Sequence, residues 1–303
     1  AIYGVYSKGE LTLGTDDEDI SSTNPIIVGD SYGLYIEGDT TNFYDGILKG
    51  QIDGYYGNIT GTPLGSITSE GEEIIDDTTY QTDFIIKFDN WLRVGDQEFN
   101  NLNDASKYIT DDGVIEVIKD VSITFKQKII DDEGNKNITL NLNGYKVTTT
   151  QSIENDSNLT IKDTSDDKAG TLNFTKYDGI KNNNNLTIES GNYNSKTNTI
   201  VNNDGEVIID GGKFNTTKTV INNVKGTITV NDGLIEQSVD AIINKGTTYI
   251  KGGNINASHD GIANDYGCNQ TVLDGGEVIA TNQGISGGKC SVTVNDGNIT
   301  SAN

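Results

Sequence analysis

Methionine is absent, and three chemically versatile residues occur once each, as Trp91, Arg93 and His259. With a lone histidine, neither a histidine-based triad nor a His-rich metal site can be built, and His259 is expected as an exposed turn residue. With a lone arginine and a formal charge of −24, the chain has no basic footprint, which excludes nucleic acid and anionic membrane surfaces as partners. No window reads as a transmembrane helix, a signal peptide or a lipidation signal. A chain that lacks methionine and begins at Ala1 is expected to be a processed product or an excised segment. Hydrophobic residues are also scarce at 33%, and 2 prolines stand against 36 glycines. A compact globule of 303 residues would struggle to fill its core from that supply, whereas a solenoid needs only a narrow aliphatic one.

What is present is a repeat. A branched aliphatic with Asn two places later recurs as Ile153/Asn155, Ile180/Asn182, Ile200/Asn202, Val220/Asn222, Ile242/Asn244 and Ile262/Asn264, and Ile285 follows with Gly287 in the Asn place. The intervals are 27, 20, 20, 22, 20 and 23 residues. Gly191, Gly212, Gly233, Gly253, Gly276 and Gly297 keep the same beat. Three residues before each sits Ile188, Ile209, Val230, Ile250, Leu273 or Val294; two after it sits Tyr193, Phe214, Ile235, Ile255, Val278 or Ile299. Aliphatic columns with a period of about 20 mark an all-β parallel solenoid, each rung burying its apolar face against its neighbours.

Residues 1–64 fit a further solenoid segment, since Val5–Gly9 aligns with Ile242–Gly246 and Phe43, Gly46 and Leu48 repeat the downstream pattern. Over 65–99 the period is lost, and Tyr80–Phe88 and Trp91–Val94 read as strands of a connector. In 100–113, apolar positions 102, 105, 108 and 109 follow Asn and Asp capping residues, which predicts a helix of about ten residues plugging the solenoid. The main solenoid is expected over 114–303. Were Asn303 followed by another Ala1, the step from Ile285 to Val5 would be 23 residues, equal to the step before it. That compatibility leads us to expect head-to-tail continuation through the end rungs, covalently or in a filament.

Asn137–Tyr145, reading NITLNLNGY, resembles the lead-in to β-helical repeats of Firmicute cell-surface proteins, and Asn158–Asp163 and Gly226–Gly233 are similar to their later rungs. The resemblance implies a right-handed, pectate-lyase-like parallel β-helix, secreted or displayed at the cell surface and adhesin-like. It carries over no catalytic residue.

Several residues could carry chemistry. The Asn column, stacked at about 4.8 Å, is suited to an internal ladder of amide hydrogen bonds. Asp178, Asp240 and Asp260 precede equivalent rung positions and could form an acidic stripe, Asp178 lying farther off. Calcium is the one cofactor to consider, held by Asp16, Asp17, Glu18 and Asp19, by Asp131, Asp132 and Glu133, or by Asp163, Asp166 and Asp167, although none matches a calcium-loop signature. Cys268 and Cys290 lie about one rung apart; they are a disulfide staple or two small residues on neighbouring turns. The favoured function is structural and non-enzymatic, a stalk of a surface adhesin or an extracellular filament subunit. The alternatives are a polysaccharide lyase or hydrolase, which would need carboxylates and lysine converging in a cleft, and a passive module that binds cell-surface glycans or calcium.

Overall fold

In the computed structural model of the protein, all residues are described except 1, 15–24, 39, 63–64, 76, 88–89, 132–135, 197, 289 and 303. The chain is an all-β parallel solenoid of about 12 turns with about 21 residues per turn. It divides into two compact units, Ala1–Asp89 and Asn90–Asn303.

In the larger unit the chain winds through three short strands per turn, each pairing in parallel with its counterpart one turn on. The turn-to-turn register stacks like on like. On the first face Leu159, Leu186, Val207 and Ile228 form one inward column, and Ile161, Ile188, Ile209, Val230, Ile250 and Leu273 the next. On the second face Leu172, Tyr193, Phe214, Ile235, Ile255 and Val278 stack. On the third, Ile153, Ile180, Val201, Ile221, Ile242, Ile262 and Ile285 stack. The column members from Ile153 to Val278 that are aliphatic or aromatic are almost all buried, and they merge into one continuous core. Two core rings, Tyr193 and Phe214, stack at 4.9 Å between centroids.

The recurring glycine has a backbone reason. Gly191, Gly212, Gly233, Gly253, Gly276 and Gly297 all sit at positive φ, between +81° and +115°. This bend between the first and second faces is one that residues with a Cβ enter only at a cost.

The predicted helix is present but shorter, Leu102–Tyr108, capped by Asn101, whose side chain accepts from the Asp104 N–H. It buries Leu102 and Ala105 and anchors to the strand Gln127–Ile129, where Leu102 N–H donates to Gln127 Oε1 at 2.8 Å. Trp91 and Leu92 join the same core. The strands Leu92–Val94 and Gln97–Phe99 pair antiparallel and add to the edge of the first face. At the other end, Ser291–Ser301 pairs with Gln270–Ala280, and its Val292, Val294 and Ile299 stay 38–52% exposed.

The smaller unit is its own short solenoid. Tyr3–Ser7, Tyr32–Ile36 and Asp53–Tyr56 stack in parallel, as do Leu11–Leu13 with Thr41–Phe43 and Ile26–Gly29 with Ile47–Gly50. Its core is Leu13, Ile27, Leu34, Ile36, Phe43 and Leu48. The stretch expected as one connector, 65–99, is divided. Gly65–Ile75 and Thr78–Lys87 form an antiparallel hairpin laid on Ile47–Gly50, whereas Leu92–Val94 and Gln97–Phe99 belong to the larger unit. Sequence period identifies parallel rungs but is blind to a hairpin that joins them antiparallel.

Because each rung leans on its neighbours, truncating a stacked ring should be felt along the solenoid. Phe214→Ala is expected to cost about 3–5 kcal/mol, read as a lowered urea midpoint by circular dichroism.

Candidate functional site

The Asn ladder exists, though two of its rungs are not the residues expected. Asn155, Asn182, Asn203, Asn223, Asn244 and Asn264 are the buried members. From Asn155 to Asn244 each Nδ2 donates to the Oδ1 one turn on, at 2.8, 2.8, 3.0, 3.0 and 3.0 Å. A second bond goes to a main-chain carbonyl of the next turn, as from Asn203 to Thr227 O. The oxygen also closes its own corner, as Asn203 Oδ1 does by accepting from Gly205 N–H at 3.1 Å. Beyond Asn264, where Gly287 replaces Asn, Ser286 O accepts from Asn264 Nδ2 at 2.6 Å and Ser286 Oγ from Asn264 N–H at 2.8 Å.

Asn202 and Asn222, expected in this column, are instead on the outside. The sequences Ile200-Val201-Asn202-Asn203 and Val220-Ile221-Asn222-Asn223 satisfy the aliphatic-to-Asn spacing in two frames. Pairing of Ile180 with Val201 and of Val201 with Ile221 selects the second frame. Since strand side chains alternate between faces, a shift of one residue turns the amide outward.

The displaced pair reveals an outer set of bonds of opposite polarity. Asn222 Nδ2 donates back to Asn202 Oδ1 at 2.9 Å, and Asn202 Nδ2 back to Asp178 Oδ2 at 2.8 Å. The same backward donation links Asn183 to Asp156, Asn231 to Asp210, Asn282 to Asp260 and Asn295 to Asp274, at 2.6–2.7 Å. Inner amides donate forward and outer amides backward. The outer set gives Asp156, Asp178, Asp210, Asp260 and Asp274 a neutral donor from the following turn.

A groove of about 340 Å³ opens on the third face, lined by Lys126, Gln151, Ser152, Glu154, Tyr177, Asp178 and Lys181. Glu154 lies between two lysines, paired with Lys126 and, at 3.3 Å, with Lys181. The hydrogen bond from Lys126, aided by Lys181, holds its carboxyl below the usual range against the opposing effect of burial. Asp178 contributes Oδ1 to Thr199 N–H and Oδ2 to Asn202. Of this lining, the sequence reading marked only Asp178. The others sit on outward strand positions and turns outside the repeat columns, so no periodic signal pointed to them.

The acidic loops fare differently. Asp16, Asp17, Glu18 and Asp19 lie outside the described residues, as do Asp132 and Glu133. Asp163 is buried and spent on the protein: Oδ1 accepts from Gly144 N–H, Ser165 N–H and Ser165 Oγ, and Oδ2 from Gly170 N–H at 2.6 Å. Burial pushes its pKa up, but these donors outweigh it and leave it below the usual carboxylate value. Asp163 is therefore the clasp of the 164–169 insert, and it does not converge with Asp166 and Asp167 on a cation. Arg93 is occupied by Glu116 at 2.8 Å across the antiparallel pair.

Cys268 and Cys290 are joined, with Cα atoms 5.2 Å apart on successive turns. Of the acidic stripe, Asp240 and Asp260 are neighbours, whereas Asp178 lies apart from them and lines the groove. His259, expected alone, sits with that pair: its Nδ1 is 2.8 Å from Asp240 Oδ1 and 3.6 Å from Asp260 Oδ1. The hydrogen bond to Asp240, then the charge of Asp260, raises the imidazole pKa. No family model, no curated protein and no solved structure matches the chain.

Two outcomes follow from these contacts. Asn203→Ala strips a buried donor and acceptor and should cost about 2–4 kcal/mol, while Asn202→Ala, one residue away, should stay within about 1 kcal/mol; equal midpoints in urea would contradict the assigned frame. For His259 the folded pKa lies above the unfolded one, so its stabilisation is complete below the unfolded pKa and fades as pH rises through the folded one. In metal-free buffer, the melting-temperature gap between the protein and His259→Gln should therefore be present in mild acid and close in alkali.

Proposed function

We propose that the chain is a structural, non-enzymatic β-solenoid of a secreted or surface-displayed bacterial protein, serving as a stiff adhesin-like stalk or filament segment. The observation that carries this reading is the unbroken inner ladder from Asn155 to Asn264, running beside main-chain bonds that also point along the axis. Load applied along the axis is then shared by many parallel hydrogen bonds and by stacked aliphatic columns. The eight-stranded third face alone extends roughly 35 Å at about 4.8 Å per step. The disulfide between Cys268 and Cys290 supports an oxidising, extracellular setting. The right-handed winding implied by the resemblance is supported by the general handedness of parallel crossover connections.

The structural reading extends to end-on association. The strand Ser291–Ser301 pairs on one side with Gln270–Ala280, and its exposed Val292, Val294 and Ile299 continue the inner columns. A further rung, from the same chain or another, would find donors and an apolar surface already in register.

A second reading has one observation in its favour. The groove at Lys126, Glu154, Tyr177 and Lys181 combines an exposed aromatic ring with flanking donors and acceptors, which suits passive binding of a glycan. The catalytic alternative is supported less, because Glu154 is held as an ion between two lysines and is poorly placed to shuttle a proton.

Negative-stain imaging of the purified chain is expected to show end-to-end stacks that Val294→Lys disperses; short dispersed rods from the unaltered chain would count against association. On a glycan array, binding lost in Tyr177→Ala would place the second reading ahead of a purely mechanical role.

A further inference from the structure

The single histidine of the chain is drawn into contact with two carboxylates on two successive turns. Asp240 precedes the third-face strand Ile242–Asn244, and His259 and Asp260 open the next one, Asp260–Asn264. Neither proximity nor orientation is left to chance. Asp260 N–H donates to Asp240 Oδ1 at 3.1 Å, while Asp260 Oδ1 accepts from Asn282 Nδ2 at 2.7 Å and from Gln283 N–H at 3.1 Å. One ligand-type atom from each of Asp240, His259 and Asp260 lies within 4.8 Å of the others, and among the described residues no other such group of three is found.

We propose that Asp240, His259 and Asp260 form a binding site for a divalent cation of the zinc class, clipping two adjacent turns together. Zinc takes nitrogen and oxygen donors at about 2.0–2.2 Å in a tetrahedron, which sets neighbouring donors roughly 3.3–3.5 Å apart. The separations of 2.8 and 3.6 Å from Nδ1 to the two carboxylate oxygens bracket that edge, so small side-chain rotations close the site. The donor set selects the metal. One imidazole and two carboxylates suit a borderline cation, whereas calcium requires six or more oxygens.

The surroundings meet the other needs of such a site. Asn282 and the main-chain N–H groups of Asp260 and Gln283 are second-layer donors that hold the carboxylates in place. The side chains of Asp240 and Asp260 are 21% and 11% exposed and that of His259 is 54% exposed, so the cluster is anchored on one side and open on the other. The open side admits the ion and leaves room for water as a fourth ligand. A net charge of −24 raises the local concentration of cations around the whole chain.

The test is calorimetric titration of the full chain with zinc chloride at neutral pH, with calcium chloride in parallel. One equivalent of zinc per chain is expected, with at least a tenfold loss of affinity in His259→Ala and in Asp240→Asn. Asn282→Ala should lose about tenfold through the second layer, and Glu189→Gln should bind as the parent does. Cobalt supplies an independent readout: a tetrahedral visible band is expected in the parent and should vanish in His259→Ala. Circular dichroism checks that each variant is folded, so loss of binding is separable from loss of structure. No stoichiometric zinc binding, binding unchanged by His259→Ala, or uptake of calcium in preference to zinc would each overturn the proposal.

Discussion

The polar groups of the Asn corners find most of their partners along the axis, because the columns beside them are mostly aliphatic and aromatic. Main-chain groups find theirs through parallel pairing from turn to turn. The corner before the first face is where the demand is hardest, and Asn meets it with one amide: its oxygen closes the corner and its nitrogen reaches forward to the next turn. Removing one such amide leaves buried groups on two turns without partners, a cost of order 1–3 kcal/mol for each. The requirement also limits what may stand nearby. At Gly226, which follows the corner of Asn223, a Cβ would lie 1.8 Å from Gly205 O, so the turns approach too closely for any side chain.

The outer surface answers a different problem with the same residue type. A chain this acidic would repel itself from turn to turn if its carboxylates stacked unrelieved. Asn from a later turn donates to Asp of an earlier one at several places, and lysines bridge others, as Lys181 and Lys126 do with Glu154. Inner and outer amides thus run in opposite directions along one axis. At the groove around Glu154 and the cluster around His259 the outer pattern is joined by cationic or imidazole side chains placed between carboxylates.

Much of this could be read from residue order. The columns led by Ile188 and by Tyr193 were correctly located because each is tied to a glycine at positive φ, a residue whose place few others can take. The helix was legible from Asn101 and the spacing of Leu102, Ala105 and Ile109. The Asn column was legible as a column but misplaced at two rungs. Doubled aliphatics followed by doubled Asn read equally well in either frame, and local sequence holds nothing to separate them.

The sequence alone therefore determined that the chain is a parallel solenoid, its period, and the residue types at its corners, because these arise from repetition and from short-range backbone rules. Tertiary structure decided which Asn of each pair faces inward, since that depends on which residue of the preceding turn lies beneath it. It also decided that Asp163 clasps an insert while Asp240 and Asp260 gather around His259. Asp240 lies 19 residues before His259, and Gly144 19 before Asp163, and only the rise of the coil brings each pair side by side.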